Sequence, residues 1–173
     1  VPLKWTIVYC TPQQIDRVMQ MMVEKRITAH RFTMKEGTTP LPKYGGKSER
    51  QFILNRFAEG KYQVLVAMKC LDEGVDVPPA RTAILMASSG NPREYVQRIG
   101  RVIRRYHDKV EAIIHDVVVV PNIGQLSSDV LDAERAVFKK EVKRYEDIAV
   151  VALNSAEALD EIHCLQEKVT EVK

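Results

Sequence analysis

The 173-residue chain has little of several things that usually announce a protein's class. Three cysteines, Cys10, Cys70 and Cys164, stand far apart with no Cys-x-x-Cys spacing, which argues against a zinc site and against a disulfide scaffold; no metal ligand set is expected, and thiols of this kind fit a reducing, cytoplasmic setting. No apolar run reaches the roughly 18 residues that a membrane-spanning helix needs, so no membrane partner is expected. The start, Val1-Pro2-Leu3-Lys4, has neither the shape of a signal peptide nor an initiator methionine, and reads as the beginning of a piece of something longer. The net charge of +3 is too small for a polyelectrolyte binder, so any nucleic-acid contact must come from local patches. There is no internal repeat and no low-complexity tract.

What is present is a regular alternation. With 45% hydrophobic residues the chain can bury a proper core. Thr6 to Cys10 is a β-branched and aromatic run that predicts a buried strand. Thr11-Pro12 then supplies an N-cap and a proline at the first helical position, predicting a helix to about Arg26. Its apolar residues Ile15, Val18, Met19, Met22 and Val23 recur at three- and four-residue intervals. Ala29 to Thr33 predicts a second strand, and Met34 to Gly46, rich in Gly, Pro, Thr and Lys, a loop. Ser48, with Gln51 three residues on, predicts a capped helix through Glu59 that Gly60 ends. Strands follow at Gln63 to Met68, Thr82 to Ala87 and Glu111 to Val120, with a helix from Pro92 to about Ile103 before the last. Alternation of this kind implies a parallel sheet covered on both faces, with ligands beyond the carboxyl ends of the strands.

After Pro121 the pattern changes. Ser127-Ser128-Asp129 predicts the start of a long amphipathic helix with Val130, Leu131, Val137, Phe138, Val142, Tyr145, Ile148 and Ala152 on one face. Asn154-Ser155 breaks it, and Leu159, Ile162, Leu165 and Val169 mark a second helix. Residues 1–122 are expected to form the α/β lobe and residues 123–173 an appended helical hairpin, which must lay its stripe on the lobe or on a partner.

Two tempting motifs fail. Gly46-Lys47-Ser48 ends like a P-loop, but Leu41 stands where the loop needs its first glycine, and Ser48 already serves as a cap. Asp72-Glu73 lacks the fourth residue of a DExH box, Val75 standing in its place. The chemistry lies instead in Gln97-Arg98-Ile99-Gly100-Arg101-Val102-Ile103-Arg104-Arg105. Arginines three apart share one face of a helix, an arrangement suited to a polyphosphate. Gly100 inside a helical pattern is a costly choice unless backbone must come close to something. The surrounding patch comprises Arg93, Arg98, Arg101, Arg104, Arg105 and Lys109 against Glu94 and Asp108. About twenty residues upstream stands Asp72-Glu73-Gly74-Val75-Asp76-Val77-Pro78.

In their order and separation these two segments resemble motifs V and VI of superfamily 2 helicases and translocases, and Ile7-Val8-Tyr9-Cys10-Thr11-Pro12 resembles motif IV. The resemblance spans roughly Thr6 to Pro121 and implies the second, C-terminal RecA-like lobe of a two-lobe motor: an α/β fold, a RecA-like parallel sheet sandwiched by helices, followed by the helical hairpin. Ala29-His30-Arg31-Phe32-Thr33, Leu71 to Pro78 and Ala87 to Pro92 are most similar to the XPB-like and type III restriction Res-subunit branch.

The resemblance also implies roles. Arg101 and Arg104 match the arginines that reach the γ-phosphate across the cleft, and Gln97 the residue near the attacking water. Arg98 is ranked below them as a nucleotide-side residue that holds the motif. Gly74 permits a tight turn, and Asp76 matches a carboxylate at the ribose or at the arginines, although a plain turn residue is the alternative. Thr11, Arg31 and Lys69 are the candidate nucleic-acid contacts. Many relatives place a hydroxyl near the start of motif V where Met68 stands here, leaving the contact to Lys69. ATP and Mg2+ are implied as cofactors held mainly by an N-terminal RecA-like lobe of the same polypeptide, with DNA as the other partner and RNA left open. Two other readings stay open: a non-catalytic helicase-like binding module, and an unrelated flavodoxin-like regulator with a basic surface.

Overall fold

A computed structural model of the chain describes residues 3–68, 77, 80–86, 99–100, 102, 104–106, 109–121 and 128–171. The chain divides into two compact units, Val1–Val117 and Val118–Lys173.

In the first unit five parallel strands, β1 (Thr6–Tyr9), β2 (Ala29–Phe32), β5 (Val64–Ala67), β6 (Thr82–Leu85) and β7 (Ile113–Asp116), lie in the order β2-β5-β1-β6-β7. The central strands β1 and β5 are buried at every position, as near-continuous apolar runs in a two-sided parallel sheet should be. One face carries Val8, Cys10, Val64 and Val66, packed with Ile15 and Val18 of helix α1 (Ile15–Glu24). Phe32, Leu65 and Tyr9 belong to the opposite face by strand alternation. There Arg50 of helix α2 (Glu49–Ala58) lies 5.7 Å from the Phe32 ring centre. The fully buried Phe57 and Ile53 give α2 its core-facing side, each such side chain contributing about 1.5–3 kcal/mol. A parallel sheet with helices on both faces is the RecA-like architecture expected.

Local chemistry sets the helix ends. Ser48 Oγ accepts the Gln51 N–H at 3.2 Å, the expected N-cap of α2. At the other end Gly60 (φ +74) donates to Phe57 O, and Lys61 to Arg56 O, closing a Schellman motif. The start of α1 differs from expectation. Thr11 does not cap it: the Thr11 N–H donates to Gln14 Oε1 (2.9 Å) and Gln14 N–H donates back to Thr11 O (3.1 Å), so residues 11–14 form a turn and the helix starts at Ile15.

The segment from Met34 to Gly46 is also more than a loop. Strands β3 (Pro40–Leu41) and β4 (Lys47–Ser48) pair antiparallel around a 3-10 turn at Pro42–Tyr44, with Gly45 and Gly46 at positive φ. Long-range bonds hold it: Arg50 donates to Glu36 O and Thr33 O, while Glu49 accepts from Gly37 N–H and Tyr44 Oη. Lys47 and Ser48 are committed to a strand and a cap, so this segment is no phosphate cradle.

In the second unit α3 (Ser128–Ala149) and α4 (Ser155–Glu171) form the helical hairpin. Phe138 and Val142 pack on Ile162 and Val169, with Tyr145, Leu165 and Val118 at the margin. The expected stripe is trimmed: Val130 and Val137 are about half exposed. In their stead Glu141 and Arg144, one turn apart and both buried, form an ion pair at 3.0 Å. No helix among the described residues is long and apolar enough to cross a membrane.

Candidate nucleotide and nucleic-acid site

The carboxyl ends of the strands are tied in step by Cys10 N–H to Ala67 O (3.1 Å), Met68 N–H to Phe32 O (3.3 Å) and Met86 N–H to Tyr9 O (2.9 Å). Four chain segments therefore leave the sheet side by side, at residues 11, 33, 68 and 86. In an open parallel sheet this is where ligands bind, because loops meet there and helix amino termini point toward them. Thr11 stands at the end of β1, half-buried, with its backbone fixed by the turn to Gln14. Below it the Cys10 thiol donates to Ala67 O, and burial pushes its pKa up to about 11, so it is a packing group rather than a nucleophile. Lys69, Gly74 and Asp76 lie outside the described residues. The segment that carries them returns to the core at Val77 and Ala80, both buried, and Ala80 N–H donates to Val77 O across the Pro78-Pro79 pair.

Arg31 is placed differently from Thr11. It sits one residue short of the end of β2, half exposed, and its guanidinium pairs with Asp16 of α1 at 2.7 Å. That exposed pair is worth under about 1 kcal/mol, so Arg31 is restrained rather than withdrawn.

Of the arginine segment, Gln97, Arg98 and Arg101 lie outside the described residues. Ile99, Gly100 and Val102 are helical, and Ile99 and Val102 are buried, anchoring one side of the turn in the core. Arg104 and Arg105 follow and are exposed. A methyl group built on Gly100 meets nothing within 4 Å, so this chain itself does not demand the glycine among its described residues. Lys109 corrects the expected basic patch. It is buried, and its ammonium donates to Val102 O and to Arg104 O (2.9 Å) instead of facing solvent. Position gave a signal that composition hid: a lysine shortly after a helix end can reach the last free carbonyls.

The helicase conserved C-terminal domain matches residues 4–106, well over half of the chain. This chain belongs to the helicase C-terminal domain family. The match takes in the strand ends, the segment through Asp76 and both arginines. Among relatives of this helicase lobe, the DNA 3'-5' translocase XPB2 of Sulfurisphaera tokodaii is 47% identical over 72 residues, which cover 42% of this chain and 16% of that protein. The DNA 3'-5' helicase XPB of Mycobacterium tuberculosis is 32% identical over 94 residues, 54% of this chain and 16% of the relative. The aligned parts thus cover less than a fifth of either relative's length. Among solved structures the chain is similar to the C-terminal part of the Fun30 ATPase domain (TM-score 0.54, 17% identity, 83% of this chain and 47% of that one). The C-terminal domain of the DEAD-box protein Dbp5 gives a TM-score of 0.51 at 21% identity, over 77% and 68%. These two likenesses concern the fold.

Proposed function

We propose that the chain is the second motor lobe of an ATP-dependent DNA helicase or translocase, inactive alone and completed by a P-loop lobe in the same polypeptide. The observation that carries this reading is the extent of the family match, residues 4–106, which ends just beyond Arg104 and Arg105. It joins the strand-end loops and the arginine segment in one domain. The chain's own fold is consistent with the division of labour, since Gly46-Lys47-Ser48 is used up in a hairpin and a cap. In this reading ATP and Mg2+ are held mainly by the other lobe.

In this reading Arg101 and Arg104 meet the negative charge that grows on the γ-phosphate, where planar guanidiniums give bidentate contacts that a lysine cannot. Gln97 orients the attacking water, Arg98 and Asp76 hold the arginines in register, and Gly74 lets the backbone turn beside the nucleotide. Thr11 and Lys69, at the ends of neighbouring strands β1 and β5, take backbone phosphates of DNA, with Arg31 at the flank. Contacts of this kind give weak sequence preference and strong salt dependence. Cytoplasmic location follows the same reading.

In the intact motor, Arg101→Ala or Arg104→Ala should lower kcat by about a thousandfold while nucleotide affinity changes little, and lysine should rescue poorly. Near-normal hydrolysis in either alanine variant removes that arginine from the role. Lys69→Ala should weaken DNA binding about equally across sequences and lower the salt slope by about one unit. An unchanged slope in the folded variant moves the phosphate contact elsewhere.

A further inference from the structure

The arginine segment ends in an unusual way. In most basic runs the cations all point to water, since a buried ammonium loses hydration that only hydrogen bonds can replace. Arg104 and Arg105 are exposed, whereas Lys109 is only 8% exposed. Its Nζ donates to two backbone carbonyls, those of Val102 and Arg104. The first belongs to the residue after Arg101 and the second to Arg104 itself. Carbonyls at a helix end lack partners within the helix and carry its negative dipole charge, so an ammonium there is both a donor and a counter-charge.

The clamp has a fixed base. Lys109 N–H donates to Tyr106 O at 2.8 Å, and four residues later the chain enters β7, whose Ile113 N–H is bonded to Arg81 O at 2.9 Å. The end of the arginine segment is thereby tied to an edge strand of the sheet. The arrangement has a cost: burial, and then the nearby Arg81, push the Lys109 pKa below its ordinary value. An aliphatic side chain could fill the same volume without that cost but could not hold the carbonyls.

We propose that Lys109 is a positioning residue for the arginine pair, its buried ammonium fixing the backbone of Val102 and Arg104 and so the direction from which Arg101 and Arg104 approach the nucleotide. The inference rests on the roles given above to those two arginines. A long side chain amplifies small backbone tilts, and a misplacement near 1 Å can lower a rate about a hundredfold.

The test uses the intact motor at saturating DNA, with Lys109→Met, which keeps length and removes every donor. The expected result is a fall in kcat of about ten- to a hundredfold with KM for ATP within about threefold of wild type. In an Arg101→Ala/Arg104→Ala background, followed by single-turnover hydrolysis, the same change should have no further effect. A merely structural lesion lowers the rate by the same factor in both backgrounds, and that result overturns the proposal. If Lys109→Met does not fold, Lys109→Gln, which retains an amide donor, carries the test with a smaller loss in kcat at unchanged KM. Wild-type kcat in a folded variant of either kind also overturns it. If the arginine variants collapse kcat and the Lys109 variants do not, only the Lys109 inference fails; if the arginine variants are themselves near normal, the proposed role of the arginines fails first.

Discussion

The two units of the chain solve the burial problem differently. The α/β unit hides apolar side chains on both faces of its sheet, and Ile7, Leu65, Val64, Val66, Ala67, Phe32 and Phe57 are wholly inaccessible to solvent. The helical unit has one thin seam, Phe138 and Val142 against Ile162 and Val169, and buries the charges of Glu141 and Arg144 beside it. Val150, Val151 and Leu153 at its turn stay exposed. The difference teaches where precision is needed. The matched helicase region lies in the α/β unit, whose strand ends must hold several loops in register, while the two-helix unit lies beyond the match and has the thinner core.

The sharpest way to break this comparison is to hollow each core. Phe57→Ala should cost about 3–5 kcal/mol by chemical denaturation, and Ile162→Ala about 2, because a two-helix seam collapses onto a cavity more readily than a sheet covered on both faces. Equal losses would show that the helical core is as tightly specified as the other.

A second comparison concerns the buried ion pair. Glu141→Leu alone should cost about 3 kcal/mol, since it removes one member of a buried ion pair. Glu141→Leu with Arg144→Met should return to within about 1 kcal/mol of wild type, as apolar replacements of buried pairs commonly do. A double variant as unstable as the single one would mean that the pair itself specifies the hairpin.

A smaller effect belongs to α1. Arg26 occupies the left-handed position after the helix (φ +55), where Ile27 N–H donates to Met22 O and Arg26 N–H to Val23 O. This is a glycine's place, and Arg26→Gly should raise the stability of the α/β unit by about 1 kcal/mol in the same denaturation assay. No gain would imply that the arginine side chain makes up the backbone strain.

Four of the strands were readable because each contains β-branched residues between turn residues, whereas β2 (Ala-His-Arg-Phe) contains none; all five stand where the sequence placed them. The start of α1 was not. Thr11-Pro12 has the composition of a cap, and only the return of the Gln14 side chain onto Thr11 N–H shows it to be a turn. The hairpin of β3 and β4 escaped because two-residue strands have no periodicity, and its order comes from Arg50 and Glu49, distant in sequence. Among the candidate site residues, Thr11 is half-buried at the end of β1 and Arg104 is exposed. Lys109 was misread because a lysine within a basic run defaults to solvent, and its withdrawal depends on two carbonyls that composition cannot display.

The central claim is that this lobe supplies the charges that meet the transferring phosphoryl group. It is tested most directly by comparing the affinity of the intact motor for ADP with its affinity for ADP plus aluminium fluoride, a stand-in for that group in flight. Groups that act chiefly on the transition state tighten such analogues by a hundredfold or more, as an order of magnitude. The account predicts that wild type shows this preference, and that Arg101→Ala and Arg104→Ala lose about a hundredfold of it while ADP binding stays within about threefold. An undiminished preference in both variants would contradict it.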